Sequence, residues 1–305
     1  MKKFLFRILI FCMLFFILDK AFILVRNRVP NLEVDQRLEK VINGKLNADI
    51  YILGSSRGAR NIVAKQIEDE LGLSTYNLSY PGSNVDFHEY LLQEILHANK
   101  KPQKIILAVD DYYELIAFES SIKFRFDRLY PLVAYPRVQN ELIERGEKNI
   151  ILSNLFILHQ LNRSNFTFRP KLFSKNDSIF ENGSMHMSYT SPKFDRVYNN
   201  KDDINKYPIE RESQMLREKF LRIIDVCQVE NIELTLCFSP NFKRSNTAFE
   251  NRMKSLAGDD VLYMHYDTSS TKYRDPELFV DSAHLKLNGA KIFTNELIAF
   301  LRRNR

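Results

Sequence analysis

An apolar segment next to the amino terminus constrains this chain more than any other feature of its sequence. Residues 4–25 are apolar except for Arg7 and the neighbours Asp19 and Lys20. About 20 helical residues cross the ~30 Å hydrocarbon core of a bilayer, so this segment has spanning length. No small-x-small cleavage site follows it, which favours an uncleaved anchor over a signal peptide. We therefore predict that residues 1–26 form a single transmembrane helix.

The charges that flank this helix predict its orientation. Lys2, Lys3 and Arg7 lie at its start and favour a cytoplasmic amino terminus, whereas Arg26 and Arg28 on the far side oppose that assignment. The charged pair within the segment is costly at mid-membrane and is expected near the outer interface. The alternative is an amphipathic helix that lies on the cytoplasmic face. We expect the rest of the chain to lie outside the cytoplasm.

The charge pattern argues against nucleic-acid binding. The 44 Lys and Arg residues are interspersed with 38 Asp and Glu residues, and no long basic block occurs. This balance is typical of a solvated surface. Cys227 and Cys237 are interpreted as buried small side chains, with a disulfide between them as the alternative. The histidines and cysteines lack metal-ligand spacing, so neither a metal nor a cofactor is expected.

The chain after residue 48 alternates short apolar runs with amphipathic segments. Strands are predicted at residues 49–53, 75–78, 104–109, 233–238 and 261–264. Helices are predicted at residues 62–71, 87–95, 209–229 and 285–301. Such alternation predicts a three-layer α/β/α fold with a mostly parallel, five-stranded sheet. Ligands of such sheets bind beyond the carboxyl ends of the strands.

The alternation is lost after the third predicted strand. The interval 112–207 is rich in Phe, Tyr, Asn, Arg and Ser, with only weak helical spacing such as that at 149–161. We predict an insertion over the strand ends here. The predicted organisation is an anchor at 1–26, a connector at 27–48 and an α/β domain at 49–305.

One serine stands where the first predicted strand turns into a helix. The strand is closed by Gly54, and Ser55 and Ser56 follow it. A hydroxyl at such a turn is held on a rigid element, and backbone N–H groups at the helix start can face a developing oxyanion. Ser56 is therefore a candidate nucleophile. The alternative is that the two serines only cap the helix.

A second motif precedes the last predicted helix. Asp281 comes three residues before His284, and this spacing lets the carboxylate receive the Nδ1 hydrogen of the imidazole. Nε2 is then left to deprotonate a serine. With Ser56, the two residues supply a nucleophile, a base and a group that orients the base. A helix cap is the structural alternative for Asp281.

These motifs and their order resemble the SGNH, or GDSL-like, hydrolase superfamily. The chain is more specifically similar to the membrane-anchored DltD-like and alginate O-acetylation-like members, in which Gly-x-Ser replaces the Gly-Asp-Ser block. The resemblance implies a flavodoxin-like sheet. It also implies that Ser56 is the nucleophile, His284 the base and Asp281 its partner. It also implies that Gly82, after the second strand, donates a backbone N–H to the oxyanion.

The chain departs from the superfamily after the third predicted strand. The family has an oxyanion-hole Asn there, whereas this chain has Asp110 and Asp111. An ionised carboxylate repels an oxyanion, and one lost donor costs on the order of 100-fold to 1000-fold in rate. Asn84 is a candidate substitute donor, with a structural role in the turn as the alternative. Arg57 is a candidate ligand for an anionic substrate, with a solvated helix face as the alternative.

Two functions from different classes follow. The first is an extracytoplasmic acyl (O-acetyl) esterase or transferase that acts on a cell-envelope or exported polysaccharide through an acyl-Ser56 intermediate. The second, prompted by Asp110 and Asp111, is a catalytically weak SGNH-like protein that binds a glycan or an envelope-assembly partner. The expected partners are the membrane and a glycan or acyl-ester substrate, with an integral-membrane acyltransferase as a further candidate. A cytoplasmic nucleotide-binding protein is disfavoured because the turn at Gly54 lacks a glycine-rich phosphate loop.

Overall fold

The computed structural model describes residues 1–109, 112–116, 122–167, 178–198, 207–242, 246–267 and 270–304. The chain divides into two compact units, a smaller one of Met1–Glu39 and Arg125–Phe173 and a larger one of Lys40–Phe124 and Ser174–Arg305. The helices are α1 (Lys2–Arg28), α2 (Arg37–Ile42), α3 (Ser56–Asn61), α4 (Ala64–Leu71), α5 (Val85–Ala98), α6 (Phe126–Leu129), α7 (Pro136–Glu144), α8 (Ile150–Leu155), α9 (Ile157–Gln160), α10 (Gln214–Val229), α11 (Thr247–Ala257) and α12 (Leu287–Arg303). The strands are β1 (Ile50–Gly54), β2 (Thr75–Asn77), β3 (Lys104–Val109), β4 (Glu233–Phe238) and β5 (Leu262–His265).

In the described residues, the larger unit is built on one sheet of five parallel strands in the order β2-β1-β3-β4-β5. Every residue of β1, β2 and β3 is buried, as expected of strands that are covered on both faces. The predicted α/β class and the parallel five-stranded sheet are confirmed. This order is flavodoxin-like. The chain adds β2 on one side of β1 and then adds β3, β4 and β5 on the other side, and ligands of such sheets bind at this change, between β1 and β3.

Helices cover both faces of this sheet. α4 and α12 contact each other on one face, where Ile67 and Phe293 join Ile50 in a continuous apolar core. α5 and α10 contact each other and pack against β1 and β4. Cys227 on α10 and Cys237 on β4 are buried free thiols. The interpretation of both as small buried side chains therefore agrees with the structure.

The helix predicted at 62–71 is observed as α4, which begins only at Ala64. A separate short helix, α3, precedes it. Ile62 has an extended backbone, with φ −120° and ψ 124°. The N–H of Val63 donates to the Thr294 hydroxyl at 3.0 Å, so it does not continue the helical hydrogen bonds of α3. Because this bond comes from α12, which is distant in sequence, the interruption could not be read from local spacing.

Asp49 fixes the start of β1. Its carboxylate accepts hydrogen bonds from the Ser74 hydroxyl at 2.7 Å, Gln103 Nε2 at 3.0 Å and Lys100 Nζ at 3.2 Å. These bonds, the one from Ser74 foremost, lower the pKa of Asp49 to about 2, although burial opposes the shift. The carboxylate thus joins the start of β1 to the chain before β2 and β3.

The smaller unit begins with α1, which is long and apolar enough to cross a membrane. Most of its side chains from Phe4 to Leu18 are exposed. Asp19 is buried, and its carboxylate accepts the backbone N–H groups of Ile157 and Leu158 at 2.9 Å each. The prediction of one amino-terminal helix of spanning length is confirmed. Its anchoring role and orientation stay predictions.

The interval 112–207 contributes to both units. Arg125–Phe173 belongs to the smaller unit, and the residues from Ser174 onward belong to the larger one. None of the strands β1 to β5 lies in the described part of this interval. The predicted domain limits of 1–26, 27–48 and 49–305, with an insertion at 112–207, stay a prediction.

Candidate active site

Ser56 is held at a tight turn between β1 and α3. Gly54 ends β1 with φ +155°, and a Cβ at this position would lie 2.7 Å from the carbonyl oxygen of Ala108. Glycine is therefore needed for β1 to end this close to β3. Ser55 is the N-cap of α3, and its hydroxyl accepts the N–H of Ser56. Ser55 thus has the capping role, while the Ser56 hydroxyl contacts His284.

The structure brings together the three residues of the predicted triad. His284 Nε2 lies 2.8 Å from Ser56 Oγ, and His284 Nδ1 lies 2.9 Å from each carboxylate oxygen of Asp281. Oδ1 of Asp281 also accepts the N–H groups of Ala283 and His284 at 2.9 and 3.0 Å. The carboxylate therefore orders its own loop and orients the imidazole ring. Catalysis by these residues stays a prediction.

The electrostatics of the site suit a serine nucleophile. Burial alone would raise the pKa of Asp281, but its interactions with His284 and with two backbone N–H groups outweigh burial and lower that pKa. Asp281 is therefore ionised at neutral pH and accepts the hydrogen on His284 Nδ1. With the ring hydrogen held at Nδ1, Nε2 is the acceptor for the Ser56 hydroxyl.

Asn61 links the triad loop to the helix that carries Ser56, and the sequence interpretation did not select it. Its Nδ2 donates to Ser239 Oγ at 3.0 Å and to the carbonyl of Ala283 at 3.2 Å. Its Oδ1 accepts the N–H of Leu285 at 2.8 Å. The fully buried amide thus holds the residues on both sides of the triad histidine.

Gly82 lies in a turn that is attached to the end of β1. The N–H of Ser83 donates to the carbonyl of Tyr80 at 3.0 Å, and Gly82 has φ +76°, which favours glycine at this position of the turn. The N–H of Tyr80 and the hydroxyl of Ser83 both donate to the carbonyl of Gly54, at 2.9 and 3.1 Å. The turn therefore adjoins the strand end that carries Ser56. Its role as an oxyanion donor stays a prediction.

Asn84 has a structural role in the described residues. It is the N-cap of α5, where its Oδ1 accepts the N–H of Phe87 at 3.3 Å, and its own N–H donates to the carbonyl of Lys123 at 3.2 Å. These contacts agree with the alternative interpretation, and a role at the oxyanion stays a prediction. Asp110 and Asp111, which prompted that role, lie outside the described residues.

Arg57 is buried, with 6% of its surface exposed. Its Nε donates to Ser239 Oγ at 3.1 Å, and its Nη2 donates to the carbonyl of Ser239. The guanidinium joins α3 to the residue that follows β4, so it does not form a solvated helix face. Its role in substrate binding stays a prediction.

A second serine–histidine pair lies at the turn of Gly82. Ser83 Oγ is 2.9 Å from His88 Nε2, and both side chains are buried. The same hydroxyl lies within hydrogen-bond distance of the carbonyls of Gly54 and Tyr80. These contacts hold the turn against the end of β1.

In the described ranges, no group of three or more His, Cys, Asp or Glu side chains could hold a metal ion. The expected absence of a metal and of a cofactor stays a prediction.

Comparisons with known proteins do not place the chain in a family. No family model matches the sequence, and no curated protein matches it. Among solved structures, the chain is similar to one described as a platelet activating factor from Streptococcus pneumonia, with a TM-score of 0.42 and 11% identity over 95% of this chain and 99% of that chain. A likeness at this TM-score establishes neither a shared fold family nor a shared activity.

Proposed function

We propose that the protein is a membrane-anchored serine esterase or acyltransferase of the SGNH type. The observation that carries the proposal is the 2.8 Å contact between Ser56 Oγ and His284 Nε2, with Asp281 on the other ring nitrogen. Ser56 follows the carboxyl end of β1, at the edge of the sheet where ligands of parallel sheets bind. A nucleophile, a base and an orienting carboxylate are the groups that acyl transfer requires.

In the proposed acylation step, Ser56 Oγ attacks the carbonyl carbon of an ester while His284 Nε2 takes the hydroxyl proton. The bond from that carbon to the alcohol oxygen then breaks, and His284 returns the proton to the departing alcohol. The acyl group remains as an ester on Ser56. Water or a sugar hydroxyl next attacks the carbonyl carbon of this ester while His284 Nε2 takes its proton. The bond from that carbon to Ser56 Oγ then breaks and His284 returns the proton to Ser56 Oγ, which releases an acid or an acylated sugar. Asp281 stabilises the imidazolium in both steps.

The charge that develops on the carbonyl oxygen needs hydrogen-bond donors nearby. We assign the backbone N–H of Gly82 as one donor, because its turn is bonded to the strand end that precedes Ser56. The backbone N–H groups that follow Ser56 in the first turn of α3 are the other candidates, since they lie beside the nucleophile. One donor of this kind is worth on the order of 100-fold to 1000-fold in rate.

The proposed substrate is an acyl ester of a cell-envelope or exported polysaccharide. The sequence resemblance to membrane-anchored, polysaccharide-modifying SGNH proteins supports this class. The apolar length of α1 supports a position at the membrane, and Lys2 and Lys3 at its start favour an extracytoplasmic active site. In that setting an integral-membrane acyltransferase is the proposed donor partner.

Active-site labelling of the full chain in detergent tests the proposal. A fluorophosphonate probe should label the wild type at Ser56, as located by peptide mass spectrometry, and should not label Ser56→Ala or His284→Ala. Ser282→Ala is the matched control, because this serine lies in the same loop with an exposed side chain. Folded wild-type protein that stays unlabelled, or that is labelled elsewhere, would refute serine catalysis. An acetylated oligosaccharide with and without an acceptor sugar then distinguishes transfer from hydrolysis.

A further inference from the structure

The smaller unit carries an exposed apolar surface on α8 and the first turn of α9. We call it the α8 surface. Its side chains are between 40% and 65% exposed. They are Ile150, Ile151, Leu152, Leu155 and Leu158. Clustered apolar side chains of this size mark a surface that meets another apolar phase.

The α8 surface adjoins the apolar run of α1. The ring of Phe156, between α8 and α9, packs edge-on against the rings of Phe15 and Phe16, with centroid distances of 6.0 and 6.3 Å. Both α1 residues belong to the exposed apolar side chains of that helix. The two exposed apolar surfaces are therefore continuous.

The break between α8 and α9 has its backbone polar groups satisfied by two charged residues of α1. Lys20 Nζ donates to the carbonyl of Leu155 at 2.7 Å, and the Asp19 carboxylate accepts the N–H groups of Ile157 and Leu158. Lys20 and Asp19 also pair with each other at 3.1 Å. Irregular backbone at membrane depth is tolerated only where the protein itself pairs such groups. An ionisable pair in a membrane segment is likewise expected to be paired internally.

The length of α1 places the α8 surface at the depth of the bilayer. From Phe4 to Leu18 the helix rises about 21 Å. This is less than the ~30 Å thickness of the hydrocarbon layer. The layer must therefore extend past Leu18, to the turn that holds α8 through Asp19 and Lys20.

We infer that the α8 surface is a second membrane-contacting element, embedded among the acyl chains of the bilayer that α1 spans. The inference rests on the proposal that α1 spans a membrane. We assign lipid as the phase that contacts the α8 surface for two reasons. The surface continues the exposed apolar side of α1, and the backbone polar groups between α8 and α9 are hydrogen-bonded within the protein, as a membrane requires. The smaller unit is then held at the membrane by two apolar elements instead of one.

Tryptophan fluorescence tests this placement, because the sequence contains no tryptophan and each introduced indole reports one position. The full chain is reconstituted in phosphatidylcholine vesicles with and without brominated acyl chains. Ile151→Trp and Leu155→Trp report the α8 surface, and Phe11→Trp reports α1. Val229→Trp is the control, since Val229 is an apolar side chain of the larger unit that is 77% exposed.

We expect brominated lipid to remove most of the emission of Ile151→Trp, Leu155→Trp and Phe11→Trp and little of that of Val229→Trp. Quenching of Phe11→Trp without quenching of the two α8 variants would overturn the inference and leave the anchor intact. A blue-shifted but unquenched Ile151→Trp would also overturn it, because protein would then cover the surface. An unquenched Phe11→Trp would refute the anchor itself and the inference with it.

Discussion

Replacing Asn61 with alanine tests whether the amide on α3 positions the triad histidine. The substitution removes the donor to Ser239 and Ala283 and the acceptor of the Leu285 N–H. Leu285 is fully buried, so its N–H is left without that partner in an apolar environment. Both residues that flank His284 lose their bond to α3.

The magnitude follows from these three hydrogen bonds. An orphaned buried donor costs about 1–3 kcal/mol, and each lost hydrogen bond costs about 0.5–1.5 kcal/mol. We therefore expect Asn61→Ala to lower the free energy of unfolding by about 2–6 kcal/mol. A shift of the imidazole by about 1 Å costs on the order of 100-fold in rate. The variant should therefore react with a fluorophosphonate much more slowly than the wild type at a temperature where both are folded.

Asn99→Ala is the matched control for this variant. The Asn99 amide also bridges two backbone groups, the carbonyl of Val41 at 2.8 Å and the N–H of Leu46 at 3.0 Å, and neither adjoins the triad loop. The control should lose stability in urea unfolding while its labelling rate stays at the wild-type value. Equal labelling rates for Asn61→Ala and Asn99→Ala would refute the positioning role, whatever their stabilities.

Three further predictions concern the base, the sheet and the membrane. Asp281→Asn should slow labelling by on the order of 10⁴-fold with little loss of stability, because the amide would face Nδ1 of His284 and leave the ring hydrogen on Nε2, towards Ser56; a wild-type rate would show that the carboxylate is dispensable. The pKa of Asp49 is lowered from 3.8 to about 2, so its carboxylate contributes up to about 2 kcal/mol of stability at neutral pH. That contribution is complete above about pH 4 and is lost as the pH falls towards 2. The difference in unfolding free energy between wild type and Asp49→Asn should therefore shrink as the pH is lowered over this range. A difference that is constant with pH would contradict the assignment of this pKa to Asp49. A phosphatase that is active only outside the cytoplasm, fused after Arg305, should be active, whereas an inactive phosphatase with an active cytoplasmic reporter would reverse the orientation.

The sheet could be predicted because its strands are marked by local composition. The observed bounds of β3 and β4, Lys104–Val109 and Glu233–Phe238, coincide with the predicted ones, since strands that are buried on both faces are apolar throughout. The division between α3 and α4 was missed because the bond that interrupts the helix comes from Thr294. The early part of the interval 112–207 was hard to assign because its helices α6 to α9 are only four to nine residues long.

The candidate site could be predicted only where the residues in contact are close together in the sequence. Asp281 and His284 are three residues apart, so one loop sets their contact. Asn61 carries no such signal, because an asparagine at the end of a helix is usually solvated and its burial depends on the loop before α12. The burial of Arg57 carries no local signal for the same reason, since Ser239, which binds its guanidinium, follows a different strand.

Two serine–histidine pairs lie near the end of β1, and the hydrogens available to each decide which can do chemistry. Ser83 has one hydroxyl hydrogen, and the carbonyls of Gly54 and Tyr80 can only accept it. Where that hydrogen is donated to one of these carbonyls, His88 Nε2 is the donor to Ser83 and is not placed to take the serine proton. At the other pair, Asp281 accepts the Nδ1 hydrogen of the imidazole, so Nε2 accepts from Ser56. In the described residues, the pair that is 228 residues apart in sequence has its imidazole oriented by a carboxylate, as the proposed catalysis requires. The local pair, five residues apart, contacts two backbone carbonyls of the turn.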